Sequence, residues 1–230
     1  QFLGEDFYVE KATKKTPSMF IDYRNKKTCL NNLELSLLGG FQARNAALAL
    51  SACLHHAHKN GKDINEQSIR KALRETSWSG RMEVISLRPT IILDTAHNPA
   101  AVKELAKSVQ ELFSYARVIL ILGVMNDKQA DEIFKKLANF ADHFILVRPK
   151  QERSENPTKL KQISKKYKSS CEIIENIPKA ILKAKKYALP DDMICVTGSI
   201  FTVGEAKQYF DNEPNFKTNF SPSTNLHLSG

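Results

Sequence analysis

The segment Ile91–Pro99 places a carboxylate and an imidazole just before an expected helix. Asp94 follows the apolar run Ile91–Leu93, and His97 lies in the turn behind it. Asn98-Pro99 has the form of a helix N-cap followed by proline at the first helical position. The segment therefore predicts a strand end, a turn with two ionisable side chains, and a helix start.

Two further segments place glycine at the end of an apolar run. Gly123 ends Ile121-Leu122-Gly123 and is followed by Asn126-Asp127-Lys128, and Gly198 lies within Val196–Ser199. Glycine lets a ligand approach the backbone, and a helix start offers unpaired N–H groups to an anion. In an open α/β sheet such strand ends share one edge, where ligands bind. These segments therefore indicate a site but name no reaction.

Each of these signals also has an ordinary structural explanation. Asp94 can simply cap the turn, His97 can be a turn histidine, and Thr197-Gly198-Ser199 is a common strand-to-helix junction. His55 and His58 have the i, i+3 spacing of helical metal ligands, but no carboxylate or cysteine cluster accompanies them in the sequence. We therefore predict a helix-surface patch at these histidines and no metal site in the chain.

The elements that must position these residues alternate between strands and helices from Val84 onward. Short apolar runs predict strands at Thr90–Leu93, Val118–Leu122, His143–Val147, Glu172–Glu175 and Met193–Thr197. Helices are predicted near Ala100–Phe113, Ala130–Phe140, Thr158–Tyr167, Lys179–Tyr187 and Phe201–Phe210. The strands are spaced widely enough for crossover helices, and they are apolar along their whole length. These two features indicate an α/β fold with an open, mostly parallel sheet and helices on both of its faces.

The residues before Val84 have a different pattern. An antiparallel ribbon is predicted from three short strands, at Phe7–Glu10, Ser18–Tyr23 and Leu33–Leu37. A long helix is predicted at Gln42–Lys59, and a shorter one, capped by Asn65, at Glu66–Glu75. This region has few elements for a core of its own. We therefore expect it to be the end of a domain.

Five sequence blocks, in order, resemble a known enzyme family. Three of them are similar to the later signature blocks of the Mur ligases: Gly39-Gly40-Phe41-Gln42-x-x-Asn45-Ala46, Trp78-x-Gly80-Arg81-Met82-Glu83 and Leu93-Asp94-x-Ala96-His97-Asn98-Pro99. Two more narrow the resemblance to folylpolyglutamate and dihydrofolate synthases: Leu122-Gly123 with Asp127-Lys128, and Val196-Thr197-Gly198-Ser199-x-Phe201-x-Val203-Gly204-Glu205. The resemblance covers about Leu37 to Phe210.

The resemblance implies an ATP-dependent ligase that works through an acyl phosphate. ATP phosphorylates a folate or dihydropteroate carboxylate, and the amine of L-glutamate then attacks it. Asn45, Arg81, Asp94 and His97 match positions that contact the nucleotide, with Asp94 on the ribose hydroxyls, and Arg81 and His97 are the implied catalytic residues. Ser199 matches a position near the substrate. The implied cofactors are ATP and Mg²⁺, with the metal ligands in an upstream domain.

The resemblance also implies a domain arrangement. Residues 1–83 correspond to the end of a central P-loop ATPase domain, 84–212 to a C-terminal Rossmann-like domain, and 213–230 to a flexible tail. Phe41 stands where the family usually has histidine, and no glycine-lysine phosphate loop occurs in the chain. A chain that begins with Gln1 is expected to come from a longer protein. Phosphoryl transfer needs the loop lysine and Mg²⁺, so we expect no ATP turnover by this chain alone.

Composition narrows the class of protein. The net charge of +9 is spread along the chain without a basic arm, so we expect small anionic substrates and no nucleic-acid partner. The sequence holds no apolar run long enough to cross a membrane. Four cysteines without metal-ligand spacing are typical of a reduced, cytoplasmic protein, and the family is usually monomeric. Two alternatives stay open: a non-catalytic nucleotide-binding module, and a Mur-type ligase with another acceptor.

Overall fold

The computed structural model describes residues 3–15, 18–126, 129–167 and 169–213; for residues 10–15 it describes the backbone only. The chain divides into two compact units, Gln1–Trp78 and Ser79–Gly230. The predicted domain boundary at residue 83 and the assignment of 1–83 to a central domain stay predictions. All of the predicted flexible tail except Glu213 lies outside the described residues.

The first unit is a three-stranded antiparallel sheet with two helices. Its strands are β1 (Phe7–Lys15), β2 (Ser18–Asn25) and β3 (Cys29–Leu35), paired in the order β1-β2-β3, and its helices are α1 (Gly40–Lys59) and α2 (Glu66–Glu75). Helix α1 packs on β1 and α2 on β3. Asn65 caps α2 by accepting the Ser68 N–H at 2.7 Å, as its position predicted. The predicted antiparallel ribbon is confirmed.

The second unit is built on a six-stranded sheet with the order β4-β5-β9-β6-β7-β8. Its strands are β4 (Glu83–Leu87), β5 (Thr90–Leu93), β6 (Val118–Leu122), β7 (His143–Leu146), β8 (Cys171–Ile173) and β9 (Met193–Thr197). Its helices are α3 (Pro99–Leu112), α4 (Ala130–Leu137), α5 (Pro157–Lys166), α6 (Ile177–Tyr187) and α7 (Ile200–Asn212). Every strand pair is parallel except β4 with β5.

Helices cover both faces of this sheet, as predicted. On one face, Ile121, Ile145 and Val196 share a buried cluster with Ile181 of α6 and Val203 of α7. Neighbouring strand residues point to the other face because side chains alternate along a strand. There the ring of Phe144 contacts that of Phe134 on α4, with ring centres 5.1 Å apart. Each central strand is therefore buried on both sides, which explains its unbroken apolar sequence.

Local signals set the helix starts of the second unit. Asn98, Asn156 and Asn176 cap α3, α5 and α6 by accepting N–H groups of the first turn, and each of these helices has proline near its start. Strand β4 was not predicted. Of its residues only Ile85 is fully buried, so its apolar pattern is weak. Helix α4 was predicted to reach Phe140 but ends at Leu137.

Candidate functional site

The strand order brings the predicted segments of the second unit to one edge. Strand β9 lies between β5 and β6, and all three run parallel. Their carboxyl ends therefore lie side by side, at Asp94, Thr197 and Gly123. Asp127 and Lys128 of the predicted segment after β6 lie outside the described residues.

Asp94 is a buried carboxylate that holds the turn before β4. Its side chain is 4% exposed, and its two oxygens accept the backbone N–H groups of Met82 and Ala96, each at 2.9 Å. Burial raises the pKa of this carboxyl above its usual range, against the opposing effects of the two N–H donors and of the charges of Arg81 and His97. These contacts account for the carboxylate as a turn cap, and its predicted nucleotide contact stays a prediction.

Arg81 lies in a turn whose backbone is fixed on both sides. Gly80 and Met82 both have left-handed backbone angles, with φ of 72° and 46°. Glu83 accepts the Gly80 N–H at 2.9 Å, and the Gly80 carbonyl accepts the Thr95 N–H at 2.9 Å. The Arg81 side chain itself is exposed. The turn therefore presents a guanidinium from a well-anchored backbone beside Asp94.

His97 is exposed, and its ring orientation is set by one hydrogen bond. Its Nδ1 lies 3.0 Å from the carbonyl oxygen of Thr95. A carbonyl oxygen only accepts hydrogen bonds, so Nδ1 carries the proton in this contact. The other ring nitrogen, Nε2, takes no part in it. Asn98 behind it caps α3 through the Ala101 N–H at 2.8 Å. The structure thus places Arg81 and His97 in two turns of the second unit, and Asp94 and the Thr95–Gly80 hydrogen bond hold these turns together.

Ser199 starts helix α7 and is buried. Its side chain is 2% exposed, its hydroxyl accepts the Thr202 N–H at 3.0 Å, and it lies 2.8 Å from the Thr202 hydroxyl. Gly198 before it has a φ of 107°, and its N–H donates to the Ala96 carbonyl at 3.0 Å. Helix capping accounts for these contacts of Ser199, and its predicted substrate contact stays a prediction.

Sequence reasoning missed the part that Thr202 and Glu205 play at this edge. The Thr202 hydroxyl donates to the Gly123 carbonyl at 2.7 Å, and the Glu205 carboxylate accepts the Lys150 N–H at 2.6 Å. Glu205 was visible as part of a signature block and Thr202 lies within it. Their hydrogen-bond partners could not be predicted, because these contacts join residues that are far apart in the sequence.

Asn45, the remaining predicted nucleotide contact, belongs to the first unit. It is exposed on α1, and its Nδ2 donates to the Oε1 of Gln42 at 3.0 Å. Gln42 is itself buried. The amide of Asn45 is therefore held in place by the residue one helical turn before it.

The described residues contain no group of three or more His, Cys, Asp and Glu side chains that could hold a metal ion. His55 and His58 are both exposed, and His58 Nε2 lies 3.2 Å from Lys27 Nζ. The described part of the chain thus offers no cage for Mg²⁺. Among its helices, none combines the length and apolar character needed to cross a membrane.

Comparison with known proteins decides the family. The family described as Mur ligase, glutamate ligase domain, matches residues 80–200, which include Arg81, Asp94 and His97. This chain belongs to the Mur ligase family. Its glutamate ligase domain coincides with most of the second unit and ends at the start of α7.

Similar proteins place the chain near folate enzymes. It is 33% identical over 177 residues to a probable bifunctional folylpolyglutamate synthase/dihydropteroate synthase of Haloferax volcanii, covering 76% of this chain and 20% of that protein. It is 26% identical over 189 residues to a dihydrofolate synthase/folylpolyglutamate synthase of Bacillus subtilis, covering 81% and 43%.

A solved structure shares the fold. Mycobacterium tuberculosis folylpolyglutamate synthase complexed with ADP superposes with a TM-score of 0.84 and 23% identity, covering 92% of this chain and 49% of that one. The chain therefore spans less than half the length of the relatives that it matches.

Proposed function

We propose that the whole protein to which this Mur ligase chain belongs joins L-glutamate to a folate or dihydropteroate carboxylate. ATP activates the carboxylate as an acyl phosphate, and the glutamate amine displaces phosphate to form the amide. The observation that carries this proposal is the turn at the carboxyl edge of β5, where Asp94 anchors the backbone beside the exposed Arg81 and His97. The turn lies within the glutamate ligase domain.

Each residue of the turn has a role that fits this chemistry. The planar guanidinium of Arg81 suits paired hydrogen bonds to phosphate oxygens, which gain negative charge during transfer. Each Asp94 oxygen has accepted one backbone N–H, which leaves a lone pair for a ribose hydroxyl. His97 Nε2 can hydrogen-bond to the nucleotide or to the reacting carboxyl group. These roles, and those of Asn45 and Ser199, belong to the proposal.

The similar proteins support the choice of substrates. The Bacillus subtilis relative is a dihydrofolate synthase/folylpolyglutamate synthase, and the Mycobacterium tuberculosis structure was solved with ADP. ATP is the corresponding nucleotide here. The proposal takes the Mg²⁺ ligands from the family resemblance, which assigns them to an upstream domain. A cytoplasmic location and a monomeric state stay predictions.

The test compares three substitutions in the whole protein. Arg81→Ala and Asp94→Ala are expected to reduce glutamate-dependent ATP hydrolysis by about a hundredfold, since Arg81 stabilises the transferring phosphate and Asp94 positions the nucleotide and the backbone beside Arg81. Arg88→Ala is the matched control, because Arg88 is an exposed arginine on the β4–β5 turn that pairs with Asp191. It is expected to leave the rate unchanged. Full activity in both Arg81→Ala and Asp94→Ala would remove the catalytic assignment of this turn.

A further inference from the structure

The β9–α7 segment is hydrogen-bonded to the loops that follow three other strands. The Gly198 N–H reaches the Ala96 carbonyl after β5, and the Thr202 hydroxyl reaches the Gly123 carbonyl after β6. One turn further along α7, the Glu205 carboxylate accepts the Lys150 N–H after β7 at 2.6 Å. A hydrogen bond to a charged acceptor is about twice as strong as a neutral one. Helix α7 therefore ties the loops of this edge together.

The loop after β7, residues 147–156, is anchored at both ends. At its start, the backbone N–H groups of Val147 and Arg148 donate to carbonyls of β6 and of the segment after β8, each at 3.0 Å. The Arg153 carbonyl accepts the Asn126 N–H at 2.8 Å, and the Glu155 N–H donates to the Val124 carbonyl at 3.0 Å. These bonds hold the loop to the segment after β6. Between these two ends, the Glu205 carboxylate of α7 fixes the backbone at Lys150. Removing that carboxylate should therefore loosen the middle of the loop, around Lys150, while the anchors at its two ends remain.

This loop carries positive charge at the edge where the candidate site lies. Arg148, Lys150 and Arg153 are exposed on it, against one exposed carboxylate, Glu152. His97 follows β5 of the same sheet, and Arg81 lies in the turn before β4. An excess of one sign of charge raises the local concentration of a ligand of the opposite sign. The amino-acid acceptor of the proposed reaction is such a ligand, because L-glutamate carries two carboxylates.

We propose that Glu205 is a positioning residue that holds this basic loop in place for the acidic acceptor. The inference rests on the proposed function for the identity of the acceptor. Glu205 acts through the Lys150 backbone and does not itself contact the substrate. Its charge would repel an acidic ligand, so a glutamate at this position is explained better by its hydrogen bond than by direct binding.

Three variants of the whole protein separate this role from a general effect on folding. Glu205→Ala removes the acceptor, whereas Glu205→Gln keeps an amide oxygen that can still accept the Lys150 N–H. Gln208→Ala is the matched control, since Gln208 is exposed on the same helix. Glu205→Ala is expected to raise the KM for L-glutamate about tenfold, the effect of one charge-assisted hydrogen bond. The KM for ATP and kcat should stay within about twofold in all three variants.

The outcome for Glu205→Gln decides whether the hydrogen bond matters. A KM for L-glutamate close to that of the wild type supports the positioning role, and a value equal to that of Glu205→Ala overturns it. An equal rise in the KM for ATP, or a fall in kcat alone, would also overturn it.

Amide hydrogen exchange across residues 148–153 gives a readout that does not need activity. Faster exchange in Glu205→Ala, but not in Glu205→Gln or Gln208→Ala, is expected. If the wild type shows no glutamate-dependent turnover, the proposed function fails, and the exchange data still decide whether Glu205 holds the loop. Unchanged amide exchange in Glu205→Ala would refute the claim that Glu205 holds the loop, whether or not the protein shows ligase activity.

Discussion

Replacing Gly198 with alanine should destabilise the second unit, because two features of the structure exclude a side chain there. Gly198 has a φ of 107°, a backbone conformation that residues with a Cβ rarely adopt. An added Cβ would lie 2.6 Å from the Gly123 carbonyl oxygen and 2.9 Å from Leu122 Cδ1. The first of these atoms belongs to the backbone of the neighbouring strand end, so it cannot move aside without moving that strand end.

The size of the effect follows from these two features. A residue forced into a sparsely populated backbone region costs about 1–3 kcal/mol. Overpacking a closed site costs about 1–3 kcal/mol more. The sum, about 2–6 kcal/mol, corresponds to a fall in Tm of roughly 4–24 °C for a chain of this size.

Gly204→Ala is the matched control for this experiment. Gly204 lies in the interior of α7, and an added Cβ there meets nothing within 4 Å. Alanine in a helix interior is favoured over glycine, so this variant should be more stable by about 0.5–1 kcal/mol. Urea unfolding of both variants, followed by far-UV circular dichroism, measures the difference. A Gly198→Ala variant as stable as the wild type would refute the geometry described for the β9–α7 junction.

Two further predictions concern buried polar contacts. Hydrogen bonds from the Arg117 guanidinium, at 3.1 and 2.5 Å, hold the pKa of the Asp192 carboxyl below its usual range. The ionised Asp192 carboxylate therefore stabilises the fold above about pH 4, and this stabilisation is lost as pH falls through the folded pKa. The wild type should therefore be more stable than Asp192→Asn at pH 7, and urea midpoints between pH 7 and pH 3 should converge; a constant gap would contradict this. Thr202→Val should cost about 1–3 kcal/mol, because the Gly123 carbonyl loses its buried donor, whereas Thr202→Ser keeps the hydroxyl. Equal urea midpoints for these two Thr202 variants would show that the hydroxyl is unimportant.

The alternation of elements in the second unit was predictable because its central strands are short and apolar. The helix starts at Asn98 and Asn156 were also marked in the sequence, by asparagine followed directly by proline. Strand β4 was missed, since a short edge strand with one fully buried residue has almost no apolar pattern. The insertion of β9 between β5 and β6 has no local signal either, because strand order depends on contacts between distant segments.

The candidate site was predictable in its residues but not in their contacts. Arg81, Asp94 and His97 were identified by resemblance, and the structure adds that Asp94 binds the backbone beside Arg81. That contact joins the end of β5 to the turn that precedes β4. Glu205 likewise acts on a loop that is distant in the sequence. Side-chain-to-backbone bonds of this kind depend on the folded chain, so composition and spacing do not reveal them.

The most direct test of the proposed function is phosphate release by the whole protein supplied with Mg-ATP, L-glutamate, and either a folate or dihydropteroate. We expect release that requires both glutamate and the pterin, with a product heavier by one glutamyl residue in mass spectrometry. Nucleotide binding without glutamate-dependent release would contradict it and favour a non-catalytic nucleotide-binding role. Release that needs a different acceptor would instead identify another member of the Mur ligase family.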